Sequence, residues 1–321
     1  MARIVSLGSA LQNIYLIDRD DFVAAEVGSA SIFAQLLIGT EVDIDRISYE
    51  VGGGGTNAAI SFARHGHETI YIGNIGHDPA GEAILSVLDQ EGIDTSYVNS
   101  LARRTTGCST ILLDVKSGKR TILTHRGASA QFNNLDPTDL DLVQPDWIYI
   151  STLRGDMDTI LKFIEKAHSI GCKVMFNPGK LELAESKKLL GLLQDVDVLM
   201  VNKFEAAQIV PGQVLAELLS HLANYVPTAI ITDGAMGAIA TNGEEAYRLG
   251  IYEHPKVKDT TGAGDAFGSG FLSCLAAGRS FRSSLIFAAA NAASVVGQFG
   301  PKRGILTGRE PLHPMPIQKI K

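Results

Sequence analysis

The sequence predicts an α/β fold built on a mostly parallel sheet with helices on both faces. Short β-branched or apolar runs recur along it, amphipathic helical patterns lie between most of them, and no internal repeat or linker-like stretch divides the chain. Folds of this kind bind ligands at the carboxyl ends of the parallel strands, so the residues that follow each apolar run are candidates for chemistry.

Taken in order, the first strand is Ile4 to Leu7, ending at Gly8. The N-terminus lacks the long apolar region of a secretory signal, and its apolar residues read as this strand. A helix over Thr56 to Gly66, a strand over Thr69 to Ile72 and a helix over Ala80 to Glu91 follow. Next come the strand Trp147 to Ile150, the helix Met157 to Ser169, the strands Lys173 to Phe176 and Val198 to Val201, the helix Val214 to Tyr225 and the strand Ala229 to Thr232. The strands are short β-branched or apolar runs, and the helices close near Gly, Asn or Pro. The apolar run from Ala266 to Ala277 predicts a further helix, and the tail from Gly308, with Pro311, Pro314 and Pro316, an extended surface segment.

Two stretches break the alternation, at about 14–50 and 105–125. They carry strand-like runs such as Ser109 to Val115 and Arg120 to Thr124, joined by the turn Lys116-Ser117-Gly118-Lys119. They predict a small antiparallel sheet projecting from the main body of a single domain, 1–321. That sheet can be a lid over a ligand, or extra edge strands or a dimer surface.

Composition narrows the function classes. Of 321 residues 45% are hydrophobic and 20% charged, with no charge block or low-complexity tract, which fits a soluble globular protein. The net charge of −7 argues against a general nucleic-acid or anionic-membrane surface, and no uncharged apolar run is long enough to span a bilayer. Cys108, Cys172 and Cys274 are widely separated and form no C-x-x-C pair, so they suit a reducing compartment, and a cytoplasmic location is expected. His65, His67, His77 and His125 are not spaced as a metal cluster and read as solvated or structural.

The segment Asp259-Thr260-Thr261-Gly262-Ala263-Gly264-Asp265 carries the sharpest chemical signal. Gly262, Ala263 and Gly264 let the backbone approach a ligand, and the helix that begins there turns free N–H groups and its positive dipole end towards an anion such as a transferring phosphoryl group. Asp265, in the first turn, can accept a proton from an attacking hydroxyl while those amides stabilise the phosphoryl oxygens. A plain helix start with an N-terminal Asp is the structural alternative. Dinucleotide binding is disfavoured because Phe267 stands at the third glycine position of G-x-G-x-x-G, and a P-loop is excluded because no G-x-x-x-x-G-K-[ST] occurs.

A second cluster, Gly52-Gly53-Gly54-Gly55-Thr56-Asn57, leads straight into a helix; four consecutive glycines suit unusual dihedrals or close approach to a ligand, and otherwise a flexible turn. Together the two clusters resemble the signatures of the ribokinase-like (PfkB) family of carbohydrate and nucleoside kinases. The resemblance runs along nearly the whole chain, through Gly8-Ser9, Gly73 to Gly81, Asn177-Pro178, Asn202-Lys203-Phe204-Glu205 and Thr232 to Gly237. It implies a three-layer α/β/α ribokinase-like fold with a small β-sheet lid, and ATP-dependent phosphorylation of an alcohol.

The resemblance also assigns roles. It makes Asp265 the catalytic base and Gly262, Ala263 and Gly264 the anion hole. Gly53, Gly54 and Asn57 match the substrate signature. Asn202 and the turn Thr232, Asp233, Gly234 to Gly237 match positions that contact ATP, and Glu205 matches the acid that organises Mg²⁺, usually through water. Asp259 and Thr261 match a K⁺-type monovalent-cation site, completed by carbonyls near Val295, Gln298 and Gly300. Locally, Glu205 can equally be a first-turn acid, Asp259 a turn cap and Thr232 a strand end. A homodimer joined through lid strands is a further implication.

The pattern departs from ribokinase at three positions. The Asp that accepts bonds from substrate hydroxyls is Asn13 here, whose amide accepts without charge and brings donors. The Lys between the signature glycines is Gly54, and the ribose-binding Glu aligns with Leu153. The glycine run also resembles the minor phosphofructokinase branch, but that branch's Arg aligns near Thr105 rather than Arg103 or Arg104. The expected acceptor is therefore a neutral sugar or nucleoside. A phosphosugar, or a non-catalytic nucleotide- or sugar-binding role, is the alternative. An Asn that approaches adenine in some members aligns with Ala289, and Asn291, two residues on, lies about 200° round the helix.

Overall fold

The computed structural model describes every residue except 19–22, 27–31, 36–38, 40, 42, 115–119 and 253–255. The elements begin β1 (Arg3–Leu7), β2 (Leu11–Asp18), β3 (Val23–Glu26), β4 (Ile32–Gln35), β5 (Arg46–Gly52), α1 (Gly54–Arg64), β6 (Glu68–Gly76), α2 (Pro79–Gln90) and β7 (Val98–Leu101). Next are β8 (Gly107–Asp114), β9 (Arg120–His125), α3 (Asp139–Val143), β10 (Trp147–Ile150), α4 (Met157–Ser169), β11 (Lys173–Phe176), α5 (Lys180–Ala184), α6 (Ser186–Leu192) and β12 (Val198–Asn202). The chain closes with α7 (Lys203–Ile209), α8 (Leu215–Leu222), β13 (Thr228–Thr232), β14 (Ala238–Thr241), β15 (Ala246–Leu249), α9 (Ala263–Ala276), α10 (Phe281–Val296) and β16 (Ile317–Lys319).

Ten strands form the main sheet in the order β16-β15-β14-β13-β12-β11-β10-β1-β6-β7. From β13 to β7 all pairs are parallel, while β14, β15 and β16 extend the sheet antiparallel. The parallel strands read as continuous apolar runs because both faces are covered. Alternate residues divide between two cores: Val5, Ile148, Ile150, Val174 and Phe176 pack with Phe163 and Leu189 on one face, whereas Ile4, Tyr149 and Met175 pack with Phe62, Phe271 and Leu285 on the other. Helices α4 and α6 therefore cover the first face and α1, α9 and α10 the second, giving the three layers expected.

The chain leaves β1 towards β6 on one side and returns to β10 on the other, so β1 and β10 bound the crevice where the winding direction reverses. Such a switch point opens at the strands' carboxyl ends, here Gly8 and Ser151. A second sheet, β5-β2-β8-β9, starts from this same edge: β2 begins at Leu11, just after β1, and β5 ends at Gly52, just before α1. Its outer pairs are antiparallel and its central pair, β2 with β8, is parallel. Asn13, Tyr15, Ser109 and Ile111 are buried on one face. Strands β3 and β4 pair as a separate antiparallel ribbon within the first irregular stretch. The turn expected at Lys116 to Lys119 lies outside the described residues. The tail departs from expectation: after Pro316 it joins the main sheet as β16 against β15, because an open edge offers main-chain partners that local sequence does not reveal.

Candidate active site

Helix α9 starts where the sequence signal placed it. Its N-cap, Gly262, has φ 78°, in the left-handed region, and a Cβ there would lie 2.5 Å from Cβ of Pro301, so only glycine fits. The first-turn N–H groups lack intrahelical acceptors and face outward with the helix dipole. Asp265 is the third helical residue of this turn, half-buried. Asn57 Nδ2 donates to its Oδ2 at 2.8 Å. Burial raises the Asp265 carboxyl above the usual carboxylate range; the Asn57 bond and the nearby Lys302 charge pull it back part of the way.

The other signature glycines face this carboxylate. Gly53, the α1 N-cap, has φ 99°. A Cβ on Gly54 would lie 3.0 Å from Ser151 Oγ and 3.4 Å from Asp265 Oδ1, so Gly54 leaves open the space beside the free carboxylate oxygen. Two buried polar atoms point to this region without a partner among the described residues, Asn57 Oδ1 and Ser151 Oγ. Unpaired buried acceptors and hydroxyls are costly unless a ligand satisfies them. Asn13 is buried beneath Gly52, where a Cβ would come within 2.6 Å of its Cγ.

The Asp259 carboxylate is crowded with donors. Thr261 donates to its Oδ1 from the backbone N at 2.9 Å and the hydroxyl at 2.7 Å, while Gly300 N at 3.1 Å and Tyr15 OH at 3.4 Å reach Oδ2. Arg120, from β9 of the small sheet, places Nη1 3.3 Å from Oδ1 and donates to Thr260 Oγ1 at 2.9 Å. Gly300 thus presents its N–H to the carboxylate. With five donors around it, Asp259 has little lone-pair capacity left for a directly bound monovalent cation, and a guanidinium already supplies positive charge there.

At the other end of the edge, Asn202 and Glu205 cap α7 reciprocally: Asn202 Oδ1 accepts from Glu205 N at 3.0 Å and Glu205 Oε2 accepts from Asn202 N at 2.8 Å. Burial raises the Glu205 carboxyl, and the bonds from Asn202 lower it. Asn202 pairs in register with Thr232, and the following turn closes through Asp233 N bonding Gly237 O at 2.8 Å, with Gly234 exposed at its tip. Lys203 Nζ stands 3.5 Å from Asp233 Oδ2. Asn291 is buried behind α9, donating to Ala266 O at 2.8 Å and accepting from Leu306 N at 2.9 Å, so its amide is engaged within the fold. Leu153 is buried in the core.

Several residues at the site carry no local sequence signal. Ser151 follows β10 with no motif around it. Lys302, from the segment after α10, is buried with its ammonium bonded to Val51 O, and burial pushes it down to about 7. Glu182 is fully buried and accepts from Thr152 Oγ1 and from the N–H groups of Leu153, Gly155 and Gly179, which fixes the loop after Ser151. Ser151 follows a strand, Lys302 follows a helix and Glu182 lies in the first turn of α5, and none of these positions carries a motif.

Known proteins share this architecture. Arabidopsis thaliana ribokinase, solved with ribose and ATP, superposes with a TM-score of 0.78 at 24% identity, covering 97% of this chain and 99% of that one. A ribokinase-fold protein from E. coli, solved with ATP and Mg²⁺, gives 0.78 at 19%, covering 95% and 96%. In sequence, a Haemophilus influenzae ribokinase is 30% identical over 275 residues, covering 81% of this chain and 86% of its own length. A family model described as pfkB family carbohydrate kinase matches residues 1–307, and the chain belongs to that family, as a kinase and phosphotransferase.

Proposed function

We propose that this kinase transfers the γ-phosphate of ATP to a hydroxyl of a sugar or nucleoside, with Asp265 as general base. One observation carries the reading: a half-buried carboxylate of raised proton affinity stands at the glycine-capped start of α9, with Asn57 holding one oxygen and Gly54 leaving the other open. A hydroxyl seated beside Gly54 and Ser151 gives its proton to Asp265 Oδ1 as its oxygen attacks phosphorus. The N–H groups around Gly262, Ala263 and Gly264 stabilise charge on the transferring phosphoryl oxygens. ATP lies along the strand edge towards Asn202, Thr232 and the turn Asp233 to Gly237, and the ribose and ATP bound by the Arabidopsis ribokinase support this use of the fold.

Mg²⁺ fits the donor set only indirectly. Among the described residues no group of three His, Cys, Asp or Glu could hold a metal, and one Glu205 oxygen is engaged in capping. The other oxygen can hold a water of the ion, whose bound charge neutralises the phosphates. At Asp259 we assign the cationic role to Arg120, which leaves no need for K⁺. Because Arg120 belongs to the small sheet, that sheet acts as a lid whose seating is sensed by the anion-hole loop and which excludes water from the acceptor.

The test is acceptor-dependent ADP formation with Mg-ATP across sugars, nucleosides and their derivatives, followed in the wild type and in Asp265→Asn. Turnover that survives the substitution unchanged would exclude Asp265 as the base.

A further inference from the structure

We propose that Ser61 and Ser269 are positioning residues: their buried hydroxyl pair sets the register of α1 against α9, and that register delivers the Asn57 amide to the carboxylate of Asp265. The consequence for catalysis rests on the reading of Asp265 as the general base given above.

Three side-chain pairs join the two helices at one constant offset. Asn57 Nδ2 donates to Asp265 Oδ2 at 2.8 Å, Ser269 Oγ donates to Ser61 Oγ at 2.7 Å, and His65 Nδ1 meets Ser273 Oγ at 2.8 Å; each pair is 208 positions apart. Each chain segment supplies its members four residues apart, the spacing that stacks side chains along one helix face. The constant offset means that α1 and α9 run parallel and in register away from their glycine caps at the site, and at about 1.5 Å per residue the three rungs span about 12 Å. Ser61 and Ser269 are fully buried, and Asn57 and Ser273 are buried as well.

Two alanines would fill the middle of this interface without polar atoms, and exchanging solvated hydroxyls for one internal hydrogen bond contributes little net stability. What the bond adds is direction. Apolar packing between helices tolerates small slides along the axis, whereas a hydroxyl pair at 2.7 Å in a dry core holds one setting. The far rung is anchored too. His67 Nδ1 accepts from Ala2 N at 3.2 Å, so its Nε2–H faces Ser273 O at 3.1 Å. Burial pushes His65 down to about 4, so its ring is neutral near pH 7 and the rung is not broken by charge. From α10, Asn291 donates to Ala266 O at 2.8 Å, the carbonyl next to Asp265, and places Nδ2 3.5 Å from Ser61 Oγ. A Cβ on Gly270 would lie 3.2 Å from that Nδ2, so glycine there admits the amide behind the seam.

The experiment reads the Asp265 carboxyl itself. Its titration is followed by carbon-13 NMR in the full chain, assigned by the signal missing from Asp265→Asn, in wild type, Ser61→Ala, Ser269→Ala, Asn57→Leu and Asn57→Leu/Ser61→Ala, alongside Tm and kcat against pH. Each serine variant leaves the remaining hydroxyl a partner: Ser269 Oγ has Ala266 O at 3.4 Å, and Ser61 Oγ has Asn291 Nδ2. Either variant alone therefore suffices. Lys302 and Tyr149, the titratable groups coupled to Asp265 from other elements, are left in place by all of them. The expected result is an upward shift of the carboxyl by about 0.5–1 pH unit in each serine variant, against roughly 1–2 in Asn57→Leu, with no further shift when Ser61→Ala is added to Asn57→Leu. Below the acid limbs kcat falls about 3- to 10-fold in step, with KM for ATP unchanged. A carboxyl that stays in place in both serine variants, or shifts that add in full in the double variant, would overturn the seam and leave the base reading to be decided by Asp265→Asn. A carboxyl that moves while the acid limb of kcat does not upholds the seam and removes Asp265 as the base.

Discussion

Replacing Asn57 by Leu removes the one side-chain donor to Asp265 found among the described residues while keeping the volume of the side chain. In the wild type Nδ2 donates to Oδ2 at 2.8 Å, and this bond is the larger of the two influences that oppose the raising of the Asp265 carboxyl by burial. A hydrogen bond to a charged group contributes about 1.5–3 kcal/mol, and about 1.4 kcal/mol corresponds to one pH unit, so the substitution raises the carboxyl by roughly 1–2 units. In the proposed role Asp265 works in its deprotonated form, so the acid limb of the kcat profile moves up by that amount. At a pH below both limbs turnover falls about 10- to 100-fold, and above both it stays within a few-fold. The assay is kcat from pH 5 to 9 at saturating ATP and acceptor, which removes any separate loss of acceptor binding from Asn57 Oδ1. An acid limb that stays in place while KM alone rises would refute the coupling and leave Asn57 as a binding group only.

Other expectations follow from the same geometry. Replacing K⁺ by tetramethylammonium should leave wild-type kcat within about twofold, while Arg120→Ala should lower it about tenfold or more, with part recovered by K⁺; a wild type inactive without K⁺ would remove the role given to Arg120. Gly262→Ala should lower kcat on the order of 10²-fold by displacing the amides proposed as the anion hole, and a folded variant with wild-type kcat would contradict that role. Lys302 is depressed from 10.5 to about 7, so between those values the unfolded chain holds a proton that the folded chain has lost. Stability therefore rises as pH increases from about 7 to 10, and the full penalty of the buried ammonium is present below 7. Lys302→Met should flatten the dependence of Tm on pH over this window, and an unchanged slope would assign it to other groups.

What could be read in the sequence was what neighbouring residues encode. The core strands Ile4 to Leu7, Trp147 to Ile150 and Lys173 to Phe176 are apolar because both faces are covered, and they appear within a residue of expectation. The glycine at 262 announces a helix start because its left-handed φ and its contact with Pro301 leave no room for a side chain. The Asn202–Glu205 spacing is legible as a reciprocal cap, since that geometry is set within four residues. What meets across the fold was not legible. Asn57 and Asp265 are 208 positions apart and Arg120 and Asp259 are 139 apart, and their pairing depends on how α1, α9 and the small sheet converge on one strand edge. His125 illustrates the same limit: 20 positions from Thr105, it reaches the Thr105 hydroxyl at 3.2 Å because β8 and β9 pair with Cys108 opposite His125.

The most direct test of the central claim is transfer of γ-labelled phosphate from Mg-ATP to the best acceptor, followed by phosphorus NMR in wild type and Asp265→Asn, with ATP affinity measured on both. The account predicts a phosphomonoester formed by the wild type and turnover lower by on the order of 10²- to 10⁴-fold in the variant, at nearly unchanged ATP affinity. Phosphate transfer at the wild-type rate in Asp265→Asn, or loss of ATP binding in step with turnover, would contradict it.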